Sequence, residues 1–148
     1  MMYTCFDIAD YFLSKAEDDE ELLSNLKLQK LMYYAQGLYL ITNGQPLFSE
    51  NIEAWTYGPV VPDLYHKHKN YGAGGIPAPT DFDHNKINRQ DCEFLNEIYE
   101  VFGQYSALRL KELSQSDICW KNAYDKGAKT IISHDEMTKH LKKYLVYA

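Results

Sequence analysis

One strongly apolar helix constrains the fold of this chain more than any other segment. From about residue 26 to residue 42, apolar side chains recur at spacings of three and four. The stripe they form consists of Leu28, Leu31, Met32, Ala35, Leu38 and Tyr39. A helix this apolar cannot lie on an exposed surface, so other elements must cover it. Ser24 or Asn25 can cap its start, and Asn43-Gly44 supplies the left-handed stop that glycine tolerates best.

The remaining sequence predicts further helices around this central one. They cover residues 3–16, 63–70 and 89–102, a short helix opened by Tyr105-Ser106, another at 120–124, and a last one from Ser133 that carries Leu141 and Leu145. Thr4 is the expected N-cap of the first helix, and Ser133 with Glu136 predicts a capping box at the last. No repeat or domain boundary interrupts the pattern. The expected fold is mainly α, a single compact multi-helix domain over residues 1–148.

A short segment between the helices has a different pattern. Residues 46–57 hold apolar pieces around a polar turn and could form a small β-hairpin. Tyr57-Gly58-Pro59 should then be a turn, because glycine permits one and proline prevents a continuing strand ladder. Pro62 suits the first position of the helix at 63–70. Residues 71–86 are rich in glycine and proline, which predicts a loop.

The composition excludes several classes of protein. With 15 Lys+Arg against 21 Asp+Glu, the 148-residue chain carries a formal charge of −6, which argues against direct nucleic-acid binding. No apolar run approaches the roughly 18 residues of a membrane span, and the N-terminus lacks the basic and apolar regions of a signal peptide. Three cysteines without CxxC spacing predict neither a disulfide framework nor a zinc knuckle. A cytoplasmic protein is therefore expected.

Signatures of catalysis and of metal binding are also weak. Glycines at 72–75 lack the Lys-Ser/Thr of a phosphate loop. His66 and His68 lie two apart on a helix, so they face different ways, and exposed positions are expected for both. His84 stands beside Asp81 and other polar loop residues, a group that could hold a cation but that loop polarity explains equally well. We expect no enzyme, no cofactor and no metal.

Two cysteines are the remaining candidates for reactive side chains. Cys92 and Cys119 lie in helical or turn contexts, where a buried small apolar side chain is the usual role. A catalytic cysteine would need a histidine or a helix N-terminus beside it, which no sequence pattern reveals. A small enzyme that uses His84 or Cys119 stays as the least favoured alternative.

Aromatic residues are the most unusual part of the composition. Tyrosine supplies 13 residues, against 6 phenylalanines and 2 tryptophans. Residues 53–62 place Trp55 and Tyr57 on a turn framed by prolines. Either Trp55 belongs to the core and the turn only aims the next helix, or the segment forms a pre-ordered aromatic contact surface. Both can hold if Trp55 is buried and Tyr57 is exposed.

Three motifs resemble the Panacea antitoxin domain family, which includes SocA-like and phage-associated GepA-like proteins. They are LQKLMYYAQG at 28–37, PLF at 46–48 and EAWTYGPVVP at 53–62. A further family element, roughly LTHxExPW, is similar to LSQSDICW at 113–120. There the chain departs from the family pattern, with Gln115 in place of the histidine and Cys119 in place of the proline. The resemblance covers about residues 4–145.

The resemblance implies a function that neither composition nor periodicity indicates. It implies a non-enzymatic antitoxin of a type II toxin–antitoxin pair, which binds a cognate protein toxin directly and covers its active or substrate site. The toxin could be alarmone-synthetase-like or another inhibitor of translation. An alternative implied by the SocA-like branch is an adaptor that delivers the toxin to the ClpXP protease. The charge of −6 would suit a basic toxin.

Six residues in or near these motifs are the candidate partner contacts, wherever their side chains are exposed. They are Lys30, Tyr33, Tyr34, Tyr57, Tyr65 and Trp120. For each of them a packing role is an equally good interpretation. Tyr39 and Tyr144, by contrast, lie on apolar helix stripes and are expected to serve only the core.

Overall fold

Seven α-helices account for most of the described chain, residues 2–145 of a computed structural model. They are α1 (Cys5–Asp18), α2 (Asn25–Asn43), α3 (Pro62–His68), α4 (Arg89–Phe102), α5 (Ala107–Gln115), α6 (Ile118–Lys126) and α7 (His134–His140). Single 3-10 turns follow α3, precede α4 and follow α7. The described chain forms one mainly α domain, as expected from the sequence. Residue 1 and residues 146–148 of the expected 1–148 domain lie outside the described residues.

Helix α2 is the centre of the fold. It contacts α1, α3, α4, α5 and α7, and it is buried on every side over residues 28–40. The Ser24 side chain accepts a hydrogen bond from the amide of Lys27, and Gly44 ends the helix in the left-handed region at φ 73°. Both caps were expected from the sequence. Because α2 has no solvent face, truncating a core leucine such as Leu31 should cost about 2–5 kcal/mol.

The buried polar residues of α2 hold neighbouring loops in place. The Gln36 amide donates to the carbonyl of Phe48 at 2.7 Å and accepts from the backbone amide of Leu47 at 2.8 Å. The Gln29 side chain accepts from the amide of Val61 at 2.8 Å. These bonds satisfy backbone groups that have no strand or helix partner, so the glutamines of the LQKLMYYAQG segment tie the following loops to the helix.

A glycine on α2 allows the C-terminal part of the chain to pack closely. A Cβ added to Gly37 would lie 2.3 Å from Cδ1 of Leu141, which is well inside van der Waals contact. Leu141 follows α7 and is fully buried. With any larger residue at position 37, the Leu141 side chain would have to move away from α2.

The strands form two small antiparallel sheets. The first pairs β1 (Leu23–Ser24) with β4 (Gly75–Ile76). The second has the order β3-β2-β5, from β2 (Glu53–Trp55), β3 (Gly58–Val60) and β5 (Thr130–Ile131). The hairpin therefore spans residues 53–60 and not 46–57. Before residue 53, the Gln36 side chain holds Leu47 and Phe48 against α2, and Phe48 forms only an isolated parallel bridge with Tyr3.

One expectation about this hairpin is corrected. Pro59 does not end the ladder but lies within β3, opposite Ala54. β3 is an edge strand of its sheet, and an edge tolerates proline because one side of the strand has no partner. The tight connection depends on Gly58, which has φ 107°. A third strand, β5, completes the sheet from more than 70 residues further along the chain, and no local pattern predicted it.

The helix ends confirm most of the expected caps. Thr4 caps α1 as expected, and Asp7 completes a reciprocal capping box there. Asn88 and Ser106, which were not predicted as caps, cap α4 and α5. The capping box expected at α7 is only half formed. Ser133 accepts from the amide of Glu136, but the Glu136 carboxylate accepts from the side chain of Asn122 instead.

The last helix and the histidines of α3 need further corrections. Helix α7 ends at His140, and a 3-10 turn continues through Tyr144. His66 is exposed as expected, but His68 is buried, and its Nε2 has no hydrogen-bond partner in the described chain. Burial, together with the charge of Lys67, lowers the pKa of His68.

Among the helices of the described residues, none is long and apolar enough to cross a membrane.

Candidate partner-binding site

A pocket of about 670 Å³ opens beside the β2–β3 hairpin. Most of its apolar lining comes from α2, the hairpin, α3 and α5. The large apolar side chains are Leu26, Trp55, Tyr57, Val60, Tyr65 and Leu108, and Ala73 and Ala128 complete the apolar lining. Tyr57 and Leu108 project from it, with 64% and 59% of their surface exposed. A volume of this size is typical of ligand and side-chain binding sites.

Four lysines adjoin the pocket, and the three that have exposed surface give it its charge. They are Lys30, Lys69, Lys111 and Lys129, and no lining residue is an aspartate or a glutamate. Two of the ammonium groups lie over aromatic rings, Lys129 at 4.9 Å from the ring centre of Trp55 and Lys111 at 5.5 Å from that of Tyr57. Such cation–π contacts orient the lysine heads at the pocket. The site is therefore locally basic in a chain with a charge of −6.

Lys30 lies beneath the pocket without any exposed surface. Its Nζ donates to the carbonyl of Pro59 at 3.0 Å, and none of the ion pairs found in residues 2–145 includes it. Burial, and to a lesser degree the charge of Lys111, lowers the pKa of the Lys30 ammonium to about 7. Lys30 thus holds the hairpin to α2 through its bond to Pro59, and this bond uses only one of the N–H groups on Nζ.

Close packing around Gly58 fixes the hairpin over this lysine. A Cβ on Gly58 would lie 2.8 Å from Cε of Lys30 and 2.9 Å from Oγ of Ser114. The hairpin backbone can therefore approach α2 and α5 only with glycine at this position. Tyr57 then stands at the tip of the turn, exposed.

Helix α6 and the end of α5 hold the hairpin from the other side. Trp120 donates its indole N–H to the carbonyl of Trp55 at 3.1 Å, and Gln115 donates to the carbonyl of Thr56 at 2.9 Å. The Trp120 ring also stacks on Tyr124 at 4.8 Å between centroids. These bonds explain how Gln115 serves at the position where the family pattern has histidine: its amide supports the turn that carries Tyr57.

A buried carboxylate lies behind the pocket. Asp117 has no exposed surface, and its Oδ2 accepts hydrogen bonds from the hydroxyls of Tyr33 and Tyr34, both at 3.0 Å. Its Oδ1 accepts from the hydroxyl of Tyr144 and lies 3.2 Å from Nζ of Lys143. Burial, followed by the negative charge of Asp117, raises the pKa of Tyr33 and Tyr34 well above the usual value. All three tyrosines therefore stay protonated donors at neutral pH.

The six candidate contacts divide into two groups. Tyr57 and Tyr65 line the pocket with exposed or half-buried side chains, whereas Lys30 adjoins it fully buried. Tyr33 and Tyr34 are fully buried around Asp117, and only 9% of Trp120 is exposed. The cluster of tyrosines at 33–34 is therefore core, because its hydroxyls satisfy a buried carboxylate. For Tyr144, the prediction of a packing role alone is wrong, because its hydroxyl donates a hydrogen bond to the buried Asp117.

Several residues of the pocket had no signal in the sequence. Lys69 and Lys129 come from two separate segments, and Leu108 and Lys111 come from a third, α5; no motif joins the three. Only the tertiary fold brings them to one cavity. No group of three or more metal-ligating side chains occurs in residues 2–145, including the loop around His84.

The comparisons with known proteins agree with the motifs that build this site. The chain matches the family described as "Antitoxin SocA-like, Panacea domain" over residues 28–121, more than half of its length. It belongs to the SocA-like Panacea family. The matched region of this Panacea chain holds α2, the β2–β3 hairpin, α5 and most of the pocket lining.

One curated relative supports the same assignment. It is Antitoxin SocA of Caulobacter vibrioides (strain NA1000 / CB15N), 45% identical over 58 residues. The aligned region is 39% of this Panacea chain and 31% of that relative, so the match spans about a third of the length of SocA. No solved structure matches the chain.

Proposed function

We propose that this chain is the antitoxin of a type II toxin–antitoxin pair, which neutralises a cognate protein toxin by direct binding. The observation that carries the proposal is the family match, which covers the structural elements that build the pocket. The name of the Caulobacter relative, an antitoxin, supports it further. We further propose that the bound antitoxin covers the toxin's active or substrate site, and that the pair acts in the cytoplasm on a step of translation.

The surface around the hairpin suits protein recognition. Tyr57 and Leu108 are large apolar side chains that stay exposed beside a concave, mostly apolar pocket. Tyrosine on a rigid turn contributes contact area at a low entropic cost, which is why it is frequent in binding hot spots. The hairpin is held from both sides, by Lys30 and by Trp120, so Tyr57 is pre-organised for a partner.

The acidic charge lies elsewhere on the molecule. Residues 17–21 form an exposed acidic run at the end of α1, and none of them lines the pocket. We propose that this run and the overall charge of −6 speed the approach of a basic toxin, an effect that salt would screen. The final contact would then depend on the surface around the pocket.

The chemistry of the described chain favours binding over catalysis. Desolvation raises the pKa of the buried Cys5 thiol to about 12 and that of Cys119 to about 11. Thiols in this state are poor nucleophiles at neutral pH. We therefore propose a non-enzymatic role without cofactor or metal.

Co-expression tests this proposal. The gene next to this one is induced in a bacterial host with and without the present chain, and growth and incorporation of labelled amino acids are followed. The proposal predicts that the neighbouring product stops growth and translation, and that this chain restores both. A harmless neighbour, or a toxin unaffected by this chain, would contradict it.

Toxin turnover separates the two modes of neutralisation. If the antitoxin acts by covering the toxin's active or substrate site, we expect an unchanged toxin half-life and neutralisation that persists in a strain without ClpXP. If this chain acts as a proteolytic adaptor instead, the toxin half-life shortens only when ClpXP is present, and neutralisation disappears with the protease.

A further inference from the structure

We propose that the lysine-lined pocket receives an acidic–apolar segment of the toxin, one in which a carboxylate side chain stands next to a large apolar side chain. The inference rests on the proposed function and names the chemistry of the contact. The segment would place its apolar side chain among Trp55, Tyr65 and Leu108, and its carboxylate between Lys111 and Lys129.

Local charge is the first argument. The lining holds three lysines with exposed surface, Lys69, Lys111 and Lys129, and no carboxylate, although acidic residues outnumber basic ones in the whole chain. The nearby Glu53 does not line the pocket, and its carboxylate accepts from the indole N–H of Trp55 at 2.9 Å. A carboxylate that enters the pocket therefore meets a surplus of positive charge and no direct competitor among the lining residues.

Two helix N-termini add to this positive field. The first turns of α2 and α5 line the pocket through Asn25, Leu26 and Leu108. Neither first turn contains an acidic residue, whereas α1, α3, α4 and α7 each do; α6 also lacks one but does not line the pocket. Because the N-terminal end of a helix carries partial positive charge, both helices favour an anion at this place.

The shape of the site favours a protein segment over a small free anion. The cavity of about 670 Å³ accommodates a large side chain with its neighbours. Tyr57 and Leu108 would remain exposed above a small molecule seated inside. A protein partner would cover both of them and exclude water around the buried contacts, as in the ring that surrounds an interface hot spot.

Matched charge reversals test the inference, with toxin binding and toxin neutralisation measured for each variant. The pocket variant is Lys111→Glu with Lys129→Glu, and the control is Lys121→Glu with Lys139→Glu, exposed lysines that do not line the pocket and that give the same change in net charge. Circular dichroism and thermal unfolding establish that both variants fold. We expect the pocket variant to bind the toxin at least about tenfold more weakly than the control, since like charges would face each other in the contact.

A peptide scan identifies the occupant. Fluorescein-labelled 15-residue peptides that tile the toxin sequence are titrated with the intact chain, and binding is followed by fluorescence anisotropy. We expect the binding peptides to contain Asp or Glu beside an apolar residue, and to lose at least about tenfold in affinity when that residue becomes Asn or Gln. A parallel titration with AMP and with inorganic phosphate examines the small-anion alternative.

The outcomes separate this inference from the proposed function. If the wild type neutralises the toxin and the pocket variant does so equally well, the inference is overturned and the proposed function stands. Binding peptides that are neutral or basic, or saturable AMP binding that no peptide displaces, would also overturn it. If the wild type does not neutralise the toxin at all, the proposed function fails and the inference falls with it.

Discussion

The hydroxyl of Tyr33 and the carboxylate of Asp117 lie 3.0 Å apart, although 84 positions separate them in the sequence. Tyr33 belongs to the central helix, and Asp117 directly precedes α6, which supports the hairpin. This bond and that of Tyr34 connect the core of the domain to the side of the site that carries Trp120. The tyrosines of the central motif are therefore part of the support for the pocket and not part of its surface.

Replacing the buried carboxylate should destabilise the domain. Asp117→Asn puts an amide among three tyrosine hydroxyls and Lys143. The NH₂ group of the new side chain would face groups that also donate hydrogen bonds, and Lys143 would lose its negatively charged partner. We expect a loss of about 2–3 kcal/mol in the free energy of unfolding, measured by urea denaturation. The exposed Asp125→Asn is the matched control and should change stability by less than about 0.5 kcal/mol. Equal stabilities of the two variants would contradict the structural role of Asp117.

The buried lysine should make stability depend on pH. The pKa of Lys30 falls from 10.5 to about 7 on folding, so between these values the unfolded chain binds the extra proton and stability rises with pH. The slope attributable to this one group approaches about 1.4 kcal/mol per pH unit. Lys30→Met should flatten the profile between pH 7.5 and 9.5, and the exposed Lys139→Met should leave it unchanged. Parallel profiles for the wild type and Lys30→Met would contradict the shift.

Close packing at Gly37 should appear as a coupling with Leu141. Glycine to alanine in an ordinary helix interior stabilises by about 1 kcal/mol, but here the new Cβ would meet Leu141, and we expect destabilisation by about 1–3 kcal/mol. In a Leu141→Ala background the added methyl group has room, so Gly37→Ala should cost much less there. A double-mutant cycle by urea unfolding measures this difference. Additive effects would show that the two residues do not interact.

The local features of the fold could be predicted because they depend on neighbouring residues. Ser24 and Gly44 bound the central helix as expected, since capping requires only the backbone of the adjacent turn. Pro62 begins α3 for a similar reason. The stripe of apolar residues on α2 also predicted its buried position correctly.

The features that depend on distant contacts could not be predicted. β5 joins β2 only because α6 brings residue 130 back to the hairpin, and Pro59 fits in a strand only because β3 lies at an edge. The pocket lysines come from four separate segments, so their common charge appears only in the folded chain. Tyr33 and Tyr34 were grouped with Tyr57 by their family motifs, but the partner that determines their role, Asp117, belongs to another element.

Binding of purified toxin to a surface variant tests the central claim most directly. The variant is Tyr57→Ala with Leu108→Ala, two exposed side chains whose loss should change the free energy of unfolding by less than about 0.5 kcal/mol each. Isothermal titration calorimetry compares it with the wild type and with the control Val101→Ala, which removes an exposed apolar side chain that does not line the pocket. We predict that the wild type and control bind the toxin with equal affinity and that the variant binds at least about tenfold more weakly. Equal affinities for all three proteins would contradict toxin binding at this surface.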